Sequence, residues 1–172
     1  MLCCNEKDVI VTLGNEFRSD DAAGVLFGRL VSGHVAVPVI KGGDAPENIT
    51  GLIVREKPGR IIIVDTLDFG ANPGDTICIP AASLAGSGTS THGALSFFVE
   101  YIENITAAPV LIIGFQPLSL AMGEKISSVV HDSVIRMAED LIETGNFTCR
   151  SEHPIPQREK SDEQKKTHHG CR

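Results

Sequence analysis

Five short runs of apolar, largely β-branched residues constrain the fold of this chain more than any other feature. They span residues 9–13, 35–40, 60–64, 76–80 and 109–113. A strand that is apolar along its whole length has both faces buried, as strands of parallel sheets do. Helical segments separate these runs, so the sequence predicts an α/β fold in three layers. A twisted, mostly parallel sheet of about five strands lies between helices.

Helical periodicity fills the intervals between the runs. Apolar residues recur with a spacing of three and four from Ala23 to Val31, which predicts a helix that Ser19 caps. Further helices are expected from Pro46 to about residue 55, over about 92–105 and over about 123–143. The 172 residues suit one domain, which we expect to span 1–144. Residues 145–172 are rich in Pro, Lys, Glu, Gln and His, which predicts a disordered polar tail.

Composition excludes several functional classes. The net charge is −7 and no cluster of Lys and Arg stands out, so we expect no nucleic-acid partner. No apolar run approaches the roughly 20 residues of a membrane helix. The N-terminal residues also lack the basic segment and the following hydrophobic segment of a secretory signal. The five cysteines form no C-x-x-C pair, so free thiols are expected and a structural zinc site is not. These features indicate a cytoplasmic protein.

Three predicted strand ends carry groups with chemistry. In open α/β sheets, ligands bind beyond the carboxyl ends of the strands. Asp20 and Asp21 follow the first strand, Asp65 ends the third with Asp68 close by, and His92 opens a later helix. Two carboxylates and an imidazole would bind zinc, nickel or cobalt better than calcium, and three ligands leave positions open for water or substrate.

Each of these residues also has an ordinary structural interpretation. Asp20 and Asp21 suit the first turn of a helix, where acids favour the positive end of the macrodipole. Asp65 could serve as a turn or N-cap residue, and His92 could cap its helix or lie on the surface. His168, His169 and Cys171 of the tail could bind metal weakly, although a His-rich end is more often incidental.

Several motifs together resemble a known family. They are GNEFRSDDAAG (residues 14–24), GGDAPEN (42–48), IIIVDTLDFGANPG (61–74), STHGAL (90–95) and GFQP (114–117). In order and approximate spacing they are similar to those of the nickel–iron hydrogenase maturation endopeptidases, with the APEN and GFQP segments most like the hydrogenase 3-type branch. The likeness extends over about residues 9–143.

The resemblance implies a reaction and a site. It implies one endoproteolytic cut that removes a C-terminal extension from the hydrogenase large-subunit precursor after nickel insertion. Asp21, Asp65 and His92 would be the catalytic and nickel-binding residues, with the nickel carried by the precursor and not held permanently. A monomer is implied. Either a metal-activated water or a carboxylate base could perform the hydrolysis.

One departure from the family pattern leaves alternatives open. Lys41 stands where the family usually has an acid, and we hypothesise that Asp44 partly substitutes for it. Loss of that acid would also suit a non-catalytic, nickel-sensing scaffold that binds the precursor. A peptidyl-tRNA hydrolase-like enzyme shares the Gly14-Asn15 opening but should continue with Pro-Gly, and no G-x-G-x-x-G indicates a dinucleotide site.

Overall fold

Strands and helices alternate along the chain in a computed structural model. The structure describes residues 2–84 and 90–149, and it describes the side chains of the second range from residue 95 onward. The strands are β1 Leu2–Cys3, β2 Asp8–Leu13, β3 Val39–Gly43, β4 Arg60–Thr66, β5 Thr76–Pro80, β6 Val110–Phe115 and β7 Asn146–Phe147. The α-helices are α1 Ala23–Val31, α2 Thr50–Glu56, α3 Ser90–Thr106 and α4 Ser128–Thr144. Short 3-10 helices cover Ser19–Ala22, Pro46–Ile49 and Ala81–Leu84.

The main sheet has five strands in the order β3-β2-β4-β6-β5. The pairs β2–β3, β2–β4 and β4–β6 are parallel, and only β5 runs antiparallel, against β6. The predicted mostly parallel sheet of about five strands is therefore confirmed. Its parallel strands all end at one edge, with the end of β4 between the ends of β2 and β6.

Alternating strand residues feed two separate apolar layers. Ile61 and Ile63 of β4 pack on one face, together with Ile53 of α2 and Ile102 of α3. Ile62 and Val64 pack on the other face, with residues of α1 and α4 such as Phe27 and Met137. Both faces of the sheet are covered, which is why its strands are apolar throughout and which confirms the three-layer prediction.

Several predicted boundaries were wrong. The second strand begins at Val39, not at residue 35, and continues through Gly43. Strands β4 and β6 each run two residues further than predicted, because Asp65 pairs with Gly114 and Thr66 with Phe115. The last helix begins at Ser128 because the preceding residues form a loop with its own hydrogen bonds.

The predicted capping role of Ser19 is also wrong. Arg18 occupies the N-cap position of the first 3-10 helix, and no side chain forms a capping hydrogen bond there. Ser19 is buried with φ 48°, and its hydroxyl donates to the Lys125 carbonyl oxygen at 3.0 Å. The side chain therefore links the loop after β2 to the loop before α4.

The start of the predicted tail belongs to the folded structure. Asn146–Phe147 pairs with β1 in a separate two-stranded sheet, and the buried Phe147 ring stacks on Phe27 with centroids 6.0 Å apart. Residues 150–172, including the histidines of the tail, lie outside the described residues, so their disorder stays a prediction. The four cysteines among the described residues are free thiols. In the described ranges, no helix is both long and apolar enough to span a bilayer.

Candidate active site

Gly14 brings the end of β2 against the end of β4. Its φ of +125° is a conformation that side chains disfavour, and its N–H donates to the Gly43 carbonyl oxygen at 2.9 Å. A Cβ at this position would lie 2.0 Å from the Asp21 carbonyl oxygen and 3.8 Å from the Asp65 Oδ1 atom. The absence of a side chain at residue 14 therefore lets the main chain at Asp21 pack against the end of β2, close to the Asp65 carboxylate.

Asp65 is the central carboxylate of this site. It lies near the carboxyl end of β4, and the Thr66 backbone N–H donates to its Oδ1 at 2.7 Å. Burial raises the pKa of Asp65 to about 7; the Thr66 N–H opposes this shift and the charge of Asp21 adds to it. A carboxyl group with this pKa exchanges a proton near neutral pH, as a general acid or base must.

Asp21 contributes the second carboxylate. Burial is the main cause that raises its pKa. The Arg18 charge and a hydrogen bond from the Asn15 backbone N–H oppose the shift, while the Asp44 charge adds to it. None of the ion pairs among the described residues includes Asp21 or Asp65. The ionised forms of these two neighbouring carboxylates are both disfavoured. A bound cation or proton would therefore stabilise the pair.

Asp44 lies beside this pair. It is exposed in the loop after β3, and its Oδ2 accepts a hydrogen bond from the Asn15 Nδ2 at 3.2 Å. Its effect on the pKa of Asp21 places its charge close to that carboxylate. Lys41 is exposed on β3. Asp44 is thus an exposed acid next to Asp21, and its role in processing stays a prediction.

Asp20 has different surroundings from Asp21, although the two are adjacent. Its side chain is fully buried and accepts three backbone N–H bonds, from Leu118 at 2.8 Å, Ser119 at 3.0 Å and Ser127 at 2.7 Å. The Thr66 hydroxyl donates to its carbonyl oxygen at 2.7 Å. Asp20 therefore fixes the loop before α4, a role different from the helix cap considered above.

Gln116 is a buried polar residue to which sequence reasoning gave no role. Its Oε1 accepts from the Phe69 N–H at 2.9 Å and the Ala71 N–H at 3.2 Å, and its Nε2 donates to the Asp68 Oδ1 at 3.0 Å. Gln116 thereby holds the loop after β4, in which Asp68 lies. The sequence signal for this role was an amide side chain directly after an apolar strand, because a buried amide needs hydrogen-bond partners.

His92 lies in the first turn of α3, which runs from Ser90 to Thr106. Its side chain is outside the described residues, so the structure brings together Asp21 and Asp65 and leaves the third predicted ligand as a prediction. Among the described side chains, no group of three His, Cys, Asp or Glu residues could hold a metal ion.

Comparisons with known proteins identify sequence relatives. The model of the HycI family, described as hydrogenase maturation protease, matches residues 29–144. The hydrogenase 3 maturation protease of Escherichia coli K12 is 31% identical over 134 residues, which cover 74% of this chain and 83% of that protein. A putative hydrogenase maturation protease of Methanocaldococcus jannaschii is 27% identical over 123 residues, 65% of this chain and 73% of that protein.

Solved structures show the same architecture. The [NiFe] hydrogenase maturation protease HycI of Thermococcus kodakarensis superposes with a TM-score of 0.74 at 32% identity, over 80% of this chain and 91% of that one. The endopeptidase HycI of Escherichia coli superposes with a TM-score of 0.70 over 90% of this chain and 99% of that one. At 24% identity, the second likeness supports the fold alone.

Proposed function

The chain belongs to the family of hydrogenase maturation proteases, and from this premise we propose that it removes the C-terminal extension of a nickel–iron hydrogenase large-subunit precursor after nickel insertion. The names of its relatives make the large subunit of a hydrogenase 3-type enzyme the first precursor to test. We further propose that it acts as a monomer in the cytoplasm.

One observation carries the proposed site: Asp21 and Asp65 adjoin each other, neither belongs to an ion pair among the described residues, and burial raises the pKa of each although the Arg18 charge opposes this shift at Asp21. A divalent ion would relieve the cost of ionising both groups. We propose that the nickel of the precursor is this ion and that His92 contacts it as well. Carboxylate oxygens and an imidazole nitrogen suit nickel as ligands. The ion is therefore part of the substrate.

The raised pKa of Asp65 links recognition to hydrolysis in this proposal. Metal ligands must be deprotonated, so arrival of the nickel converts Asp65 to its ionised form. Peptide hydrolysis adds the hydroxyl of a water molecule to the scissile carbonyl carbon, and a proton passes to the leaving amine. We assign the transfer of that proton to Asp65: once ionised, its carboxylate accepts a proton from the attacking water and then donates it to the leaving amine.

A processing assay tests the function. Purified wild-type protein is incubated with nickel-loaded and with nickel-free large-subunit precursor, and the masses of the subunit and of the released peptide are measured. We expect one cut, in the loaded precursor only. Binding of the loaded precursor without a mass change would contradict the endopeptidase and favour the nickel-sensing scaffold. Equal cleavage of both precursors would contradict recognition through nickel.

A further inference from the structure

Three large apolar side chains are exposed beside the carboxylate site. Phe17 is 69% exposed, Leu118 62% and Met122 70%, and we call these three residues the apolar rim. Phe17 follows β2, whereas Leu118 and Met122 follow β6. Because β2 and β6 flank β4 in the sheet, the rim residues come from both sides of the strand that carries Asp65.

Hydrogen bonds fix the two rim loops against each other. The Gly123 N–H donates to the Phe17 carbonyl oxygen at 2.8 Å, and the Ser19 N–H donates to the Glu124 carbonyl oxygen at 3.2 Å. The buried Asp20 carboxylate accepts from the Leu118 and Ser119 amides. A carboxylate bound by several backbone donors is a strong local constraint. The rim side chains are therefore presented to solvent by an ordered backbone.

The loop that carries Leu118 and Met122 is uncharged, whereas Phe17 lies between Glu16 and Arg18. Residues 117–123, PLSLAMG, contain no charged residue, and Leu118 and Met122 are among the more exposed large apolar side chains of the described chain. Single exposed apolar residues are common on protein surfaces, but a group of them commonly marks a binding surface. An uncharged, apolar partner would gain most from contact with this group.

We propose that the apolar rim binds an uncharged, apolar segment of the precursor that flanks the scissile bond. The proposal rests on the proposed function: the rim loops border Asp21 and Asp65, so they are within reach of a polypeptide that is cleaved there. The rim would contribute to affinity and to the choice of cleavage site. Asp21 and Asp65 would still carry the chemistry.

Kinetics of precursor cleavage test this role. The variant Leu118→Ser/Met122→Ser and, on the other loop, Phe17→Ser are compared with wild type on nickel-loaded precursor. We expect KM to rise about tenfold, equivalent to about 1.4 kcal/mol, with kcat within about twofold of wild type. The variant Leu118→Met keeps an apolar side chain at this position and should have the same KM as wild type. Leu52→Ser, at a 45% exposed leucine on α2, is the matched control and should leave KM unchanged.

The outcomes separate this inference from the proposed function. If wild-type protein does not cut the loaded precursor, the proposed function fails and the rim proposal fails with it. If wild type cuts and the rim variants keep a wild-type KM, only the rim proposal is overturned. A fall in kcat at constant KM, or an equal rise in KM for Leu52→Ser, would also overturn it. Thermal unfolding of each variant verifies that the substitutions leave the fold intact.

Discussion

Asp20 and Asp21 are adjacent and chemically identical, but their carboxylates face different environments. Asp20 is fully buried and its two oxygens accept three backbone N–H bonds. Asp21 is partly exposed in the 3-10 helix that follows β2, next to Asp65, and burial raises its pKa. The first acid is thus satisfied by the fold, whereas the second is destabilised in its ionised form and available to a ligand.

Exchanging each acid for its amide should separate these roles. Asp20→Asn replaces one acceptor oxygen with an amide group that cannot accept from a backbone N–H. We expect it to lower the free energy of unfolding by about 2–4 kcal/mol and to reduce hydrogen-exchange protection at Leu118, Ser119 and Ser127. Asp21→Asn is the control and should change stability by less than about 1 kcal/mol. Equal effects on stability would contradict the assignment.

The raised pKa of Asp65 predicts a pH dependence of stability in the metal-free protein. The folded-state pKa of about 7 lies above the ordinary value of 3.8, so folding favours the protonated form. The contribution of this group is most favourable below about pH 4, decreases as the pH rises to about 7 and is constant above that. We therefore expect Asp65→Asn to raise the free energy of unfolding at pH 8 by about 1–3 kcal/mol and to leave it unchanged near pH 4.

Denaturant unfolding at a series of pH values checks this prediction. The difference in stability between Asp65→Asn and wild type should appear between pH 4 and 7. A destabilised Asp65→Asn at pH 8 would show that the ionised carboxylate stabilises the fold, and would contradict the cause assigned to its pKa.

At the scale of elements, the site is made where loops from different strands meet. Asp21 lies in the 3-10 helix Ser19–Ala22 that follows β2, Asp44 in the loop after β3 and Asp65 on β4. His92, the predicted third ligand, lies in the first turn of α3. The apolar runs predicted the strands, and the rule for parallel strands predicted which ends meet. The sequence could not show that Asp20 would fix a loop 98 residues away, because such a bond depends on tertiary packing.

Asp44 offers a test of how these loops cooperate. Its carboxylate accepts from Asn15 and lies close enough to Asp21 to raise the pKa of that residue, so we expect it to help to position the precursor or its nickel. Asp44→Ala should lower kcat/KM for processing about tenfold. Glu47→Ala, at an exposed acid in the neighbouring 3-10 helix, is the control and should process normally. Normal processing by Asp44→Ala would refute this role.

For the molecule as a whole, the layer arrangement was predictable and the limits of the domain were not. Five apolar runs predicted the five-stranded sheet, because strands that are buried on both faces are apolar along their whole length. Asn146 and Phe147 were predicted to lie in the tail, because a two-residue strand has no periodicity to detect. Boundaries at β3 and α4 failed for the related reason that tertiary hydrogen bonds, not local preference, decide where those elements begin.

The position of Phe147 predicts where the chain can be shortened. Its fully buried ring packs on Phe27, so Phe147→Ala should lower the free energy of unfolding by about 3–5 kcal/mol. Truncation after Cys149 keeps this contact, and we expect it to change stability by less than about 1 kcal/mol. Denaturant unfolding of both variants measures the difference. Equal losses would place a structural role beyond residue 149.

The central claim is that Asp21, Asp65 and His92 read the nickel of the precursor and that cleavage depends on it. The most direct measurement is the processing of nickel-loaded precursor by Asp21→Asn, Asp65→Ala and His92→Ala, beside wild type and the exposed-acid control Glu16→Gln. We predict cleavage by wild type and by Glu16→Gln, and none by the three site variants, with every protein folded. Cleavage at the wild-type rate by any folded site variant would contradict the assignment of that residue.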